Sequence, residues 1–142
     1  MAYKFYIDPS VNCVFVLHYG EFHVDDPIQQ YKEMLEHPQY LPDMNVLRDV
    51  LTTSLPVEYG FKFFSDRTTE RYKNIEPHMG DCKVAWVLGT GKDYATMHQY
   101  NLTTRFGPLL RIERKPFRTI EDAKVWLDVP ADFEINYDAS DA

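Results

Sequence analysis

The run Cys82-Lys83-Val84-Ala85-Trp86-Val87-Leu88-Gly89 decides how the rest of the chain is read. It is short and mostly apolar, with two Val and a Trp, which suits a strand covered on both faces, as parallel strands usually are. Gly80-Asp81 stands before it and Gly89-Thr90-Gly91 ends it. A polar segment of helical character flanks it on each side. A buried strand between two helices is the centre of a layered α/β domain.

Outward from that strand, the chain has room for one such domain. Its 142 residues suffice for a single core. Ten Tyr, nine Phe and two Trp exceed what a core needs, so some must reach a surface, a pocket or a partner. The net charge is −7, and four of the acids (Asp132, Glu134, Asp138 and Asp141) follow Pro130. Removing those four charges leaves −3 for the body. No basic cluster stands out, which argues against nucleic-acid binding, because that needs a cationic face. Cys13 and Cys82 each fall inside an apolar run and read as small buried residues in a reducing compartment. A disulfide between neighbouring strands stays open at this level. Met1 to Tyr6 lacks the apolar core of a signal peptide, and no segment has the length of a membrane span. A cytoplasmic location is the expectation.

Tyr3 to Ile7 reads as a first strand, Asp8 to Asn12 as a turn, and Cys13 to Tyr19 as a second strand, antiparallel because the connection is short. Asp26-Pro27 is a helix start, with Asp at the N-cap and Pro in the first turn. Ile28, Tyr31, Met34 and Leu35 form that helix's apolar stripe. The helix ends near His37-Pro38, since the residue before proline avoids helical dihedrals. Asn45 to Leu51 is a third strand, made parallel to the second by the crossover helix. Thr52 to Phe64 reads as a loop with an aromatic group, Tyr59, Phe61, Phe63 and Phe64. Ser65-Asp66 caps a second helix to about Ile75. After the central strand, Asp93 opens a third helix to about Arg105, with Tyr94, Met97, Tyr100 and Leu102 as its apolar positions. Leu109 to Arg114 is the last strand. Thr119 caps a final helix that buries Ile120, Ala123, Trp126 and Leu127 and stops at Pro130.

The resulting order is β-β-α-β-α-β-α-β-α, an α/β single domain with a mixed sheet. Its bounds are 1–130, with 131–142 an acidic tail expected to be mobile. In this order the chain resembles the STAS-like domains, the fold class of bacterial anti-sigma-factor antagonists. More narrowly it is similar to a branch of small bacterial proteins with that fold and no assigned activity. Three stretches carry the likeness: Gly20-Glu21 with the Asp26-Pro27 helix and His37-Pro38; Val46-Leu47-Arg48-Asp49; and Phe117-Arg118-Thr119-Ile120-Glu121-Asp122-Ala123-Lys124-Val125-Trp126-Leu127.

The resemblance implies a switch in which a Ser or Thr after the third strand is phosphorylated by a partner kinase. The usual pattern there is Asp-Ser-Ser-Gly followed by an aliphatic residue. Here the loop is Leu51-Thr52-Thr53-Ser54-Leu55, which has the hydroxyls but no Gly, and Asp49 lies further back. Thr52, Thr53 and Ser54 are therefore phosphorylation candidates by their hydroxyls alone. A phosphate there would sit near Asp49 and Glu58, which oppose it unless Arg48 or Lys62 helps. Other members of the wider fold group resemble lipid-transfer or small-ligand domains, and the aromatics of 59–64 keep that implication in view.

Gly89-Thr90-Gly91-Lys92 lies between a strand and a helix, where free backbone N–H groups could hold an anion. A dinucleotide fingerprint would need Gly or Ala where Tyr94 stands. A P-loop would need Gly at Trp86 and Ser or Thr at Asp93. A plain strand-to-helix turn is the simpler reading. His18, His23, His37, His78 and His98 include no i, i+4 pair, neither Cys is in a Cys-x-x-Cys pair, and Ser54 is not in a Gly-x-Ser-x-Gly elbow. No catalytic residue, metal ligand or cofactor is assigned.

The expected function is a non-enzymatic binding or regulatory module for a protein partner or a small apolar ligand. Its surface joins Asp49, Tyr59, Phe61 and Phe64 to Gly89, Thr90, Gly91 and Tyr94, since ligands of open α/β sheets favour the carboxyl edge. Two alternatives stand beside it: the phosphorylated switch at 52–54, and an enzyme using Asp49 and one His as acid and base at the same edge. Exposed aromatics leave room for a homodimer.

Overall fold

The computed structural model describes residues 2–57, 59, 75–104 and 112–138. They form a mixed α/β domain around one five-stranded sheet: β1 (Tyr3–Asp8), β2 (Cys13–His18), β3 (Asn45–Val50), β4 (Cys82–Leu88) and β5 (Ile112–Phe117). The strands lie in chain order across the sheet. β1 is antiparallel to β2, and every later neighbour is parallel. Three helices are described, α1 (Asp26–Glu36), α2 (Gly91–Thr104) and α3 (Ile120–Trp126). The second expected helix, Ser65 to Ile75, falls outside the described residues apart from Ile75, as do Phe61, Phe63 and Phe64.

The first hairpin turns through a short 3₁₀ segment, Pro9–Val11. Asp8 accepts from the Ser10 amide there, and Asn12 adopts a left-handed φ of 54°. Asn tolerates that region better than most residues. From β2 onward each strand is reached by crossover, and each crossover steps the same way across the sheet. Such steps keep their helices on one face. Met34 of α1 and Met97 of α2 accordingly share one apolar cluster with Val14, Val46, Val84 and Trp86. The opposite face carries Cys13, Phe15, Leu47, Ala85, Val87 and Phe117, and α3 covers it with Ala123 and Leu127. β4 is buried at six of its seven positions, as a strand with both faces covered must be.

Several boundaries differ from the reading of the sequence. α1 takes Asp26 as its first residue; Asp25 is the cap position and makes no side-chain cap bond. The Asp26 carboxylate reaches back to the His23 amide at 3.0 Å instead. The α1 face turned inward is Pro27, Gln30, Tyr31 and Met34, with Ile28 and Leu35 at its margin. α2 begins at Gly91, two residues early, because Thr90 is its cap and bonds the Asp93 amide at 3.1 Å. β5 continues to Phe117, three residues past Arg114. Pro116 does not stop it, since an outer strand needs no donor on its free side. α3 starts at its Thr119 cap as expected but ends at Trp126. Asp128, at φ 59°, turns the chain before Pro130 is reached.

The segment after Pro130, expected to be mobile, packs on the sheet over its described part. Phe133 stacks on Phe15 with centroids 5.3 Å apart, and Tyr137 meets the Tyr6 ring edge-on at 5.8 Å. The Asn136 amide donates to the Tyr6 hydroxyl at 3.1 Å, and Lys4 pairs with Asp138 at 2.7 Å. Asp138 thus ties the described end of an apolar strap to β1.

Gly89 closes the carboxyl end of β4 against the chain after β3. A Cβ there would lie 2.4 Å from the Leu51 carbonyl oxygen, a backbone atom that has no room to retreat. Gly89→Ala should therefore cost roughly 1–3 kcal/mol in urea unfolding. Thr119→Ala, which removes one cap bond, should cost about 1 kcal/mol.

Candidate functional site

β3 reads Val46-Leu47-Arg48-Asp49-Val50, and alternation along a strand sends Val46, Arg48 and Val50 to the same face. That face is the one under α1, so Arg48 enters the core. It is 0% exposed and is the largest fully buried side chain described. His18, which follows Val14 and Val16 on the same face of β2, is also at 0%, as is Gln30 of α1. Arg48 Nη1 lies 2.9 Å from His18 Nε2, and Arg48 Nη2 donates to Gln30 Oε1 at 2.8 Å. The Tyr31 and Trp86 rings flank the guanidinium, with centroids 4.8 and 5.2 Å from its carbon.

The protonation state of this group follows from its chemistry. Burial pushes the His18 pKa well below its ordinary value, and the Arg48 charge pushes it the same way. His18 is neutral. A guanidinium only donates, so Nε2 must present its lone pair to Arg48, and the ring proton sits on Nδ1. For the same reason Gln30 turns its oxygen to Arg48 and its NH₂ away.

Four buried nitrogens then have no hydrogen-bond partner among the described residues: His18 Nδ1, Gln30 Nε2, Arg48 Nε and Trp86 Nε1. Among the described residues no carboxylate ion-pairs with Arg48 either. The nearby acids are engaged elsewhere. Asp26 accepts from His23, Glu33 accepts from the Tyr3 hydroxyl at 2.7 Å, and Asp93 accepts from the Leu55 amide at 3.3 Å.

A cleft of about 810 Å³ opens at the carboxyl edge, between the loop after β2 (20–25) and the loop after β3 (52–57). The Thr53 hydroxyl donates to the Gly20 carbonyl and ties the two loops together. Phe22 is both a wall of this cleft and the cover of the polar cluster. Its ring lies 4.6 Å from His18, 6.2 Å from Trp86 and 5.8 Å from Tyr59. Tyr59 is buried, and its hydroxyl donates to the Val24 carbonyl at 3.1 Å.

The expected surface is therefore divided. Thr52, Thr53 and Ser54 line the cleft and Tyr59 packs behind it. Gly89, Thr90 and Gly91 are exposed and make the turn into α2; Tyr94 is exposed at its start. The start of α2 is not an open anion seat, because buried Asp93 already places a carboxylate beside it. Phe61 and Phe64 lie outside the described residues.

Asp49 belongs to the other face of the sheet. It lines a separate hollow of about 740 Å³ with Lys124, Phe133 and Tyr137. Burial raises its pKa, although a bond from the Leu51 amide at 3.0 Å acts against the rise. The sheet itself stands between Asp49 and His18, so they cannot work as an acid–base pair. Cys13 and Cys82 are buried free thiols, and burial raises both, Cys82 to about 12. Among the described residues no group of three or more His, Cys, Asp or Glu could hold a metal, and no helix is long and apolar enough to cross a membrane.

The residues missed from the sequence were Arg48, His18 and Gln30 as a unit. The signal for two of them was present. Val46-x-Arg48-x-Val50 and Val14-x-Val16-x-His18 each place a polar residue in phase with an apolar face. Gln30 carries no comparable mark. No family model, curated protein or solved structure matches the chain.

The buried neutral histidine makes stability depend on pH with a definite sign. Unfolded, His18 takes a proton below about pH 6.5; folded, it resists protonation until well below that. Its contribution is complete above 6.5 and is lost as pH falls from there toward the folded value. Asp49, whose folded pKa is raised, acts oppositely and at lower pH. Urea unfolding from pH 8 to pH 5 should show stability falling below 6.5 by up to about 1.4 kcal/mol per unit. His18→Gln, which keeps an acceptor for Arg48, should remove that slope.

Proposed function

We propose that this chain is a STAS-like binding module whose ligand enters the cleft between the loops after β2 and β3. The observation that carries this reading is Arg48. A guanidinium at zero exposure with neutral partners alone among the described residues is costly in a low dielectric, by several kcal/mol. Folding stability gives no reason to place one beneath a cleft. Recognition does, because buried donors without acceptors are what a specific pocket keeps ready for its ligand. The position at the carboxyl edge of parallel strands supports the same reading. So does the element order that carries the family resemblance, although fold alone does not specify function.

Binding is favoured over acid–base catalysis because Asp49 and His18 occupy opposite faces. It is favoured over a phosphate switch because Thr53 is committed to the Gly20 carbonyl and the neighbouring Asp93 and Glu21 would repel a dianion.

A native mass spectrum of the gently purified protein should show extra mass that disappears on denaturation. Ser54→Trp places an indole in the mouth of the cleft from an exposed loop position, and this variant should fold but carry no such mass. A bare wild-type chain that also takes up none of the added small molecules would sink the reading. A clean dimer without ligand would move the function to a subunit interface.

A further inference from the structure

We infer that the ligand of this cleft is a small organic carboxylate, with its head group seated on the Nε edge of Arg48 beside Trp86 and its apolar body against Phe22. This rests on the binding reading above and adds the chemical class. Three neighbouring side chains (His18, Gln30 and Trp86) each carry a nitrogen without an acceptor among the described residues, and so does the Nε of a guanidinium that makes no ion pair there. What is missing is therefore an ion-pair partner in contact with the guanidinium and acceptor lone pairs for its neighbours. A carboxylate supplies one charge and two oxygens with about four lone-pair sites.

The aromatic flanks narrow the approach. Tyr31 and Trp86 lie against the guanidinium, and His18 and Gln30 take one Nη each. The Nε edge is the part left over. Hydrogen bonds from an ionised donor to an ionised acceptor are the strong ones, and a planar carboxylate suits a planar guanidinium.

Charge decides between a carboxylate and a phosphate. One guanidinium neutralises a monoanion. A dianion would add a second negative charge in the neighbourhood of Asp26 and Glu33, which already act on the neighbouring Tyr3 hydroxyl together with Arg48. The apolar body is implied by the walls. Between the cluster and the cleft stands Phe22, itself packed on His18, Trp86 and Tyr59. A ligand that reaches Arg48 from the cleft must displace this ring and take over its contacts, which only an apolar group does without loss. The expectation of a small apolar ligand is thereby refined to an apolar acid.

Trp86 reports on the site directly. The second tryptophan, Trp126, lies on the other face beside Phe117 and Lys83, and Trp126→Phe leaves Trp86 as the single indole. In that background benzoate and octanoate should each be titrated against Trp86 fluorescence, with benzamide, octanamide and inorganic phosphate as controls. At least one acid should saturate the signal, with its amide at least tenfold weaker and phosphate without effect; the better acid identifies a ring or a chain as the body. Arg48→Met should abolish the preference for acid over amide. Should that variant fail to fold by circular dichroism, Gln30→Leu, which keeps the guanidinium, should weaken acid binding several-fold and amide binding little.

Equal binding of acid and amide would overturn the carboxylate seat while leaving the cleft a binding site. Phosphate binding that depends on Arg48, with neither acid bound, would overturn the class. Saturation by no probe would overturn the seat, and the cleft reading would then stand or fall on the native mass spectrum alone.

Discussion

The structure turns on one charge placed inside an apolar sheet face. Arg48 lies between Val16 and Trp86 in the strand register and beneath Tyr31 of α1. A cation there must be hydrogen-bonded or it destabilises the fold. Its bonds run to β2 through His18 and to α1 through Gln30. The helix can satisfy it at one rotation only, with Gln30 and Tyr31 both turned to the sheet. That is why Ile28 and Leu35, which an apolar stripe would centre, sit at the margin of the contact. Cation–π contacts of about 2 kcal/mol or more when desolvated, and charged hydrogen bonds of roughly 1.5–3 kcal/mol each, offset part of the burial cost. The remainder is the part a ligand can supply.

The two faces of the sheet differ in what closes them. The crossover face is closed by helices and, at the carboxyl edge, by Phe22 with Tyr59 packed on it, adjoining an open cleft. The other is closed by α3 and by the strap of Val129 to Tyr137, with Phe133 stacked on Phe15. Alternation along β3 sends Arg48 to the first and Asp49 to the second. Residues adjacent in sequence are thus separated by the thickness of the sheet. An acid–base site joining Asp49 to a histidine of the first face is excluded by this geometry. Tyr137 and Asp49 share the second hollow, where burial raises both groups.

Much of the fold was legible because its signals are local. The apolar run of β4, the short first connection, proline after His37 and the Thr119 cap each act within a few residues. Each lies where it was expected or within two residues of it. The boundaries that moved depend on partners. β5 passes through Pro116 because it has a neighbour on one side only among the described strands, and α3 stops at Trp126 because the strap must turn back onto the sheet at Asp128. The tail read as mobile because its acids dominate its composition. Its aromatics pack because Tyr6 and Phe15 present them an apolar face. At the candidate site Thr52 to Ser54 and Tyr59 were found through their position after a strand. Arg48 and His18 were weighed separately and not as a pair, although their phase with Val46 and Val50 and with Val14 and Val16 placed both inside.

The sequence by itself determined the elements, their order and the parallel character of the sheet, because helix periodicity, caps, turns and crossover length are properties of neighbouring residues. The tertiary structure decided the site. Arg48, Gln30 and His18 are far apart in sequence and belong to different elements. Only the stacking of α1 on adjacent parallel strands brings their polar atoms within 3 Å, and only burial on all sides converts an ordinary arginine into a charge in need of a counterpart.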